Sequence, residues 1–174
     1  MRCPVRRRAP AATTIAPLLL LAAAGLAGAE CPEHLFIVAR SKNANIVAYD
    51  AKTDPSGALA SKAVVAYWLL DGDPARREDL NRVEWNRAYG FSLEKGDPGA
   101  YVLKFNAGKK RPLTIRLRNG CPVAIGKISG QTAIVRKLFV QSKEGGLTPT
   151  VEYVEFFGED PESGHELYEK LIPK

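Results

Sequence analysis

Short apolar segments separated by turn residues recur along most of the chain, and this pattern restricts the possible folds more than any other feature. The clearest example spans 112–118, where Leu113, Ile115 and Leu117 alternate with other residues. A period of two places successive side chains on opposite faces, so one face packs on a core and the other meets solvent. Repetition of such segments at short intervals predicts an antiparallel β architecture.

We predict one mainly β domain of about nine strands, either an antiparallel sandwich or a partly closed barrel. Helical spacing at 75–89 predicts one inserted helix capped by Asp73 or Asp79, and His165–Leu171 predicts a short C-terminal helix. Sandwich and barrel stay open, because the choice depends on whether the first and last strands pair. The predicted strands are His34–Arg40, Asn45–Asp50, Ala63–Leu70, Phe91–Glu94, Tyr101–Asn106, Pro112–Arg118, Pro122–Ile128, Thr132–Gln141 and Thr150–Phe157.

The first 29 residues have the three parts of a secretory signal peptide. Arginines at 2 and 6–8 form a basic start, 15–26 is apolar, and Ala27-Gly28-Ala29 fits a cleavage site. The apolar run is shorter than the roughly 20 residues that span a bilayer, so we expect cleavage after Ala29 and no transmembrane segment in the mature chain. The sequence therefore predicts an exported protein, periplasmic or extracellular, whose single mainly β domain covers 30–174.

The basic character of the whole chain comes mainly from this leader. The net charge is +6, and four arginines lie before residue 9 with no acidic residue among them. A second basic group at 109–111 is not interleaved with aromatic residues, as a surface that binds single-stranded nucleic acid usually is. We therefore expect no nucleic-acid partner.

Cys31 and Cys121 remain after the predicted cleavage, and cysteine pairs in an oxidising compartment are usually bonded. We predict a disulfide between them. The alternative is a thiol-dependent enzyme in which one of them is the nucleophile and a histidine is the base. His34 and His165 are the only histidines and form no metal-binding motif, so we predict no metal and no cofactor.

Arg40 is the first candidate for ligand binding, because it ends the apolar segment 35–39. Its guanidinium either projects into the core or a cavity mouth, or extends past the strand end to water. A buried arginine needs a carboxylate, and Glu155 in the last apolar strand is the expected partner. In that setting Arg40 would anchor an anionic ligand.

Aromatic and basic side chains supply the remaining candidates. Tyr67 and Trp68, together with Trp85 and Tyr89, either line a pocket for a sugar or an apolar ligand or belong to the core. Arg111 lies in the basic group at 109–111, which either binds an acidic glycan or partner or is a solvated surface. We select Arg40, Tyr67, Trp68 and Arg111 as the candidate ligand-binding residues.

Several segments together resemble a known family. They are 34–41 with Asn45-Ile46-Val47, the pair Tyr67-Trp68, Leu80 to Gly90, 110–113 and the closing segment 149–158. Over about 33–173, the chain resembles the bacterial domain family called domain of unknown function 4833. The resemblance implies an exported domain without an assigned role, and it identifies no catalytic residue.

These observations favour a non-enzymatic binding or interaction module of the bacterial cell envelope. Its ligand would be a small molecule, a glycan or an envelope partner, held on a sheet face or in a barrel mouth. Two alternatives stay open: a thiol-dependent enzyme that uses Cys31 or Cys121, and a structural envelope protein that associates through a sheet edge. No recognised catalytic motif favours an enzyme.

Overall fold

The computed structural model describes residues 31–108, 110–143 and 150–173. The predicted signal peptide lies outside these ranges. The described residues form a mainly β structure, as the alternation of apolar residues predicts. Its strands are β1 (Phe36–Arg40), β2 (Asn43–Thr53), β3 (Leu59–Leu69), β4 (Arg77–Asp79), β5 (Phe91–Lys95), β6 (Ala100–Phe105), β7 (Leu113–Arg118), β8 (Cys121–Ile128), β9 (Gln131–Lys143), β10 (Thr150–Glu159) and β11 (Glu166–Leu171).

All eleven strands belong to one sheet, which branches at β9. The first part of β9 pairs with β8 and the later part pairs with β1, while β10 pairs with the opposite edge from Ile134 to Lys143. Two arms therefore leave the same edge of β9. One arm continues β1-β2-β3-β4, and the other continues β8-β7-β6-β5. The β1–β9 pair is parallel, so the predicted antiparallel pattern has one exception.

The two arms share one apolar core. Phe36 of β1 meets Phe105 of β6 edge-on, with 5.9 Å between ring centroids, and Tyr49 of β2 lies 6.0 Å from Phe91 of β5. The sheet is not closed, because β4 and β5 end its two arms and do not pair with each other in the described part of the chain. Burial of these aromatic rings supplies the main driving force that holds the arms together.

The C-terminal helix predicted at His165–Leu171 is wrong, because this segment forms β11 and pairs with β10. Its residues alternate in exposure, with Leu167, Glu169 and Leu171 half-buried and the residues between them exposed. The segment is too short for its apolar residues to distinguish the two periods. The free edge of β10 satisfies its backbone groups, and this tertiary contact decides for the strand.

The helix predicted at 75–89 is correct only in its second half. An α-helical turn at Arg82–Glu84 continues as a π-helical turn at Trp85–Tyr89, and we call this eight-residue helix α1. Asn81 caps α1 in place of Asp73 or Asp79, because its side chain accepts hydrogen bonds from the backbone of Val83 and Glu84. The preceding residues form β4 instead. The two unpredicted strands, β4 and β11, raise the number from nine to eleven.

Candidate functional site

A groove of about 680 Å³ opens beside β3, where β4 ends. It runs along Val64–Ala66 and is bounded by Trp85 on one side and by Asp50 and Tyr67 on the other. The groove exists because β4 has three residues while β3 has eleven. After Asp79 the chain leaves the edge of β3 and enters α1.

The capping of α1 fixes where the chain turns away. The side chain of Glu84 accepts a hydrogen bond from the backbone N–H of Asn81 at 2.9 Å, and this reciprocates the bonds that Asn81 accepts. The same carboxylate oxygen accepts a hydrogen bond from the indole N–H of Trp68 at 3.1 Å. The Glu84 carboxylate therefore completes the cap at the start of α1 and also connects it to β3.

On the outer face of the sheet, Asp50 links two polar side chains beside the groove. Its Oδ2 accepts a hydrogen bond from the hydroxyl of Tyr67 at 2.5 Å, and its Oδ1 lies 2.7 Å from Nδ1 of His34. Burial and the hydrogen bond to Asp50 raise the pKa of Tyr67 above its ordinary value, so this hydroxyl stays a donor. The guanidinium of Arg77 lies 4.8 Å above the Tyr67 ring and 3.6 Å from Glu33.

Arg40 lies on the core side of the sheet, half-buried at the end of β1. Its Nη1 donates a hydrogen bond to the hydroxyl of Tyr89 at 3.2 Å. Burial raises the pKa of Tyr89, and the Arg40 guanidinium acts in the opposite direction. The expected partner Glu155 is wrong for Arg40, because that carboxylate accepts a hydrogen bond from Tyr168 at 2.8 Å and lies 3.8 Å from Lys170.

Trp68 belongs to the same environment as Arg40. Its ring meets the Tyr89 ring edge-on at 5.0 Å, and both residues are buried in the main core. The hydroxyl of Tyr49 donates to the backbone carbonyl of Tyr89 at 2.6 Å, which fixes the end of α1 against β2. Tyr89 therefore contacts both Arg40, through its hydroxyl, and Trp68, through its ring.

Arg111 is held elsewhere, by Glu169 of β11. Its two terminal nitrogens donate to the two carboxylate oxygens at 3.0 and 2.6 Å, and its guanidinium lies 4.9 Å from the Phe156 ring. Glu169 also accepts a hydrogen bond from the backbone N–H of Ser129 at 2.7 Å. These bonds, with that of Arg111 first, hold the pKa of Glu169 below its usual range.

The four candidate residues therefore do not form one site. Tyr67 and Trp68 are neighbours in the sequence, so the strand sends them to opposite faces of the sheet. Tyr67 borders the groove, Trp68 contacts the environment of Arg40, and Arg111 is bound to β11. Whether any of the four binds a ligand stays a prediction.

Sequence reasoning missed Asp50, Arg77 and Asp79, all of which line the groove. Asp50 carried a signal that could have been used, because it ends an apolar strand segment and must be satisfied there. Arg77 and Asp79 carried none, since they were assigned to a helix. Trp85 was identified only as one of several aromatic residues.

The predicted pairing of Cys31 and Cys121 is confirmed. The two cysteines form a disulfide with 5.4 Å between their Cα atoms, and it joins the start of the described domain to β8. Both sulfur atoms are bonded in this state, so neither is a free nucleophile.

In the ranges that the structure describes, no three or more His, Cys, Asp or Glu side chains are grouped so that they could hold a metal ion. Among the described residues, no helix has the length and hydropathy needed to cross a membrane.

A sequence model of the family described as "Domain of unknown function (DUF4833)" matches residues 36–170. The match covers most of the chain and every strand of the sheet, at least in part. The chain therefore belongs to this family, as the resemblance of its segments indicated. No curated protein and no solved structure gives a significant match.

Proposed function

We propose that this member of the DUF4833 family is an exported, non-enzymatic binding module of the bacterial cell envelope. Its ligand or partner occupies the groove beside β3. The groove itself carries this proposal, because it combines space, an uncovered strand edge and side chains of mixed chemistry. Most ligand sites are concave, with apolar walls and a few polar groups that fix orientation.

The walls of the groove are supported by the fold around them. Tyr67 is fixed by Asp50 and covered by Arg77, so its position does not depend on a ligand. Trp85 packs against Phe91 with 5.1 Å between ring centroids and stays partly accessible. We regard the two arms as the layers of a sandwich-like scaffold, whose shared core holds both walls in place. Preorganised walls reduce the entropy that binding costs.

Export is supported by the disulfide, because such bonds persist in oxidising compartments outside the cytoplasm. The composition of residues 1–29 is independent support, since it matches a signal peptide.

The structure gives different support to the two alternative functions, a thiol-dependent enzyme and a structural envelope protein. A thiol-dependent enzyme requires a free thiolate at Cys31 or Cys121, and both sulfur atoms are joined in the disulfide. A structural protein that associates through a sheet edge gains support from the uncovered edge of β3. Light scattering over a range of concentrations tests the second alternative, which requires a mass that increases with concentration.

The binding proposal is tested by amide and indole NMR shifts of the labelled chain, purified from an exporting host. Three probe classes are added in turn: extended peptides, cell-envelope oligosaccharides and anionic phospholipid headgroups. We expect one class to shift the signals of Val64–Ala66 and the indole of Trp85. Arg77→Gln should weaken that binding, while the matched control Arg116→Gln, on an exposed arginine of β7, should not.

Two results would contradict the proposal. In the first, no class shifts the groove signals at millimolar concentration, although the chain is folded. In the second, the shifts concentrate around Arg40 and Tyr89, which would move the binding site to the other face of the sheet.

A further inference from the structure

The outer edge of β3 is covered along less than half of its length. β4 pairs with Tyr67–Leu69 only, and in the described part of the chain no strand pairs with the outer edge of Leu59–Ala66. A strand edge presents a row of backbone N–H and C=O groups that another strand can bind. The groove beside β3 is therefore also the space that a longer β4 would fill.

Other strand edges of the sheet that lack a partner in the described residues differ in composition. β5 carries Glu94 and Lys95, and three of the six residues of β11 are charged. Charged side chains are a common means by which proteins keep an edge from pairing with another chain. The free edge of β3, Leu59–Ala66, carries one charged residue, Lys62, while its section along the groove, Val64–Ala66, carries none and lacks this protection.

Side chains around the groove alternate as an added strand would require. Residues that lie directly opposite in an antiparallel pair share a face, so Asp79 lies with Tyr67 and Glu78 with Trp68. The outer face of the groove is therefore largely polar, with Asp50, Arg77 and Asp79. The inner face offers Trp85, Val64 and Ala66, whereas Val65 lies opposite Asp50 on the outer face. A strand in the groove would place polar and apolar side chains alternately against these two faces.

Charge defines one end of the groove. Glu78 and Asp79 are both exposed, and neither carboxylate forms an ion pair within the described residues. They stand at the end of β4, one on each face of the sheet. A strand that continues the line of β4 meets them with its first residues. Lysine or arginine at those positions would complement the two carboxylates.

We propose that the groove binds an extended peptide segment of a partner protein as an additional strand, antiparallel to β3 and basic at its N-terminal end. Both strand neighbours of β3 are antiparallel to it, which sets the direction. Backbone hydrogen bonds to Leu59–Ala66 give the affinity, and the alternating faces with Glu78 and Asp79 give the specificity. This inference rests on the proposed function and names the class of partner.

The first experiment selects binders from a random octapeptide library displayed with free N-termini, using the full chain from an exporting host. We expect the enriched peptides to lack proline, to carry β-branched or aromatic residues at alternate positions, and to begin with lysine or arginine. The double variant Glu78→Gln/Asp79→Asn should bind the best peptide about fivefold more weakly. The matched control Glu166→Gln, on an exposed carboxylate of β11, should bind it like the parent chain.

The second experiment tests the backbone bonds directly. The best peptide is synthesised in two forms that are N-methylated at alternate residues, in opposite phase. Only one phase removes the N–H groups that face β3, so one form should lose binding and the other should keep it. In the complex with the unmodified peptide, amide hydrogen exchange at Leu59–Ala66 should slow.

Results other than those expected would overturn the peptide inference, and each of them identifies which part of it is wrong. Equal binding of both N-methylated forms would show that a peptide binds without adding a strand. Enrichment of acidic or proline-containing peptides would contradict the stated chemistry. If no peptide is enriched and an oligosaccharide shifts the groove signals, the peptide inference fails and the binding module stands. If no peptide is enriched and the mass doubles with concentration, the edge binds a second copy.

Discussion

Replacing Glu169 by glutamine removes one charge from a half-buried position on β11 and keeps the size of the side chain. The parent carboxylate accepts two hydrogen bonds from Arg111 and one from the backbone N–H of Ser129. Its side chain is 15% exposed, while that of Arg111 is 37% exposed. Glutamine can keep one acceptor oxygen, so part of this network survives.

The magnitude follows from these contacts. Hydrogen bonds to charged groups contribute about 1.5–3 kcal/mol each when they are well shielded. Because more than a third of Arg111 is exposed, solvent screening reduces that figure. We expect Glu169→Gln to lower the free energy of unfolding by about 1–2 kcal/mol at neutral pH. Arg111→Ala should cost somewhat more, because it leaves a shielded carboxylate without its cation and removes the contact with Phe156.

The effect should also depend on pH. The bonds from Arg111 and Ser129 hold the pKa of Glu169 below its ordinary value of 4.5 in the folded protein. The charge therefore stabilises the fold fully above that ordinary value, and this contribution is lost as the pH falls through the depressed value. The stability difference between the parent and Glu169→Gln should accordingly shrink in acid.

Urea unfolding followed by tryptophan fluorescence, at pH 7 and in a series down to pH 3, measures both quantities. Glu166→Gln on the same strand is the matched control, because its carboxylate is exposed and forms no ion pair in the described residues. Equal stability of the two variants at pH 7 would refute the reasoning, and so would a difference that grows in acid. If Arg111→Ala left stability unchanged, Arg111 would be available for the ligand role that the sequence suggested.

Three further changes test the fold. Replacing Cys31 and Cys121 by alanine should lower the free energy of unfolding by about 4 kcal/mol, because the bond spans 90 residues; a urea-measured loss below about 1 kcal/mol would contradict this. Gly90→Ala should lower the melting temperature clearly in calorimetry, since its Cβ would lie 2.0 Å from the carbonyl oxygen of Trp85; an unchanged value would mean that the helix end shifts freely. Tyr49→Phe should cost about 1–2 kcal/mol in urea unfolding, because it removes a buried hydrogen bond to the end of α1; a neutral effect would argue against that bond.

Strand prediction succeeded where the information is local. The alternation at 112–118 predicted β7, which the structure has at Leu113–Arg118, because its apolar face lies in the core. At Glu166–Leu171 the residues fit a helix and a strand almost equally. Only the edge of β10 and the bonds of Glu169 to Arg111 decide between them. The bond between Glu169 and Arg111 joins residues 58 positions apart, which no local pattern contains.

The candidate site was harder to predict for the same reason. Tyr67 was selected as one of a group of aromatic residues, yet its partners Asp50 and Arg77 come from β2 and β4. Arg40 has its hydrogen-bond partner 49 residues away, in a helix whose start was predicted too early. The sequence indicated which types of side chain suit a binding site. Which of these side chains lie close together depends on how the strands of the two arms are arranged.

The proposed binding edge of β3 lies near the end of one of the two arms that leave β9. β9 pairs with another strand on at least one edge along nearly its whole length, and the two arms that leave it end in β4 and β5. One arm ends in β5, which matches its neighbour β6 within one residue in length. The other ends in β4, which is eight residues shorter than β3 because Asn81 and Glu84 cap α1 two residues after its end. The capping box therefore sets the length of the free edge, and with it the length of strand that the groove can accept.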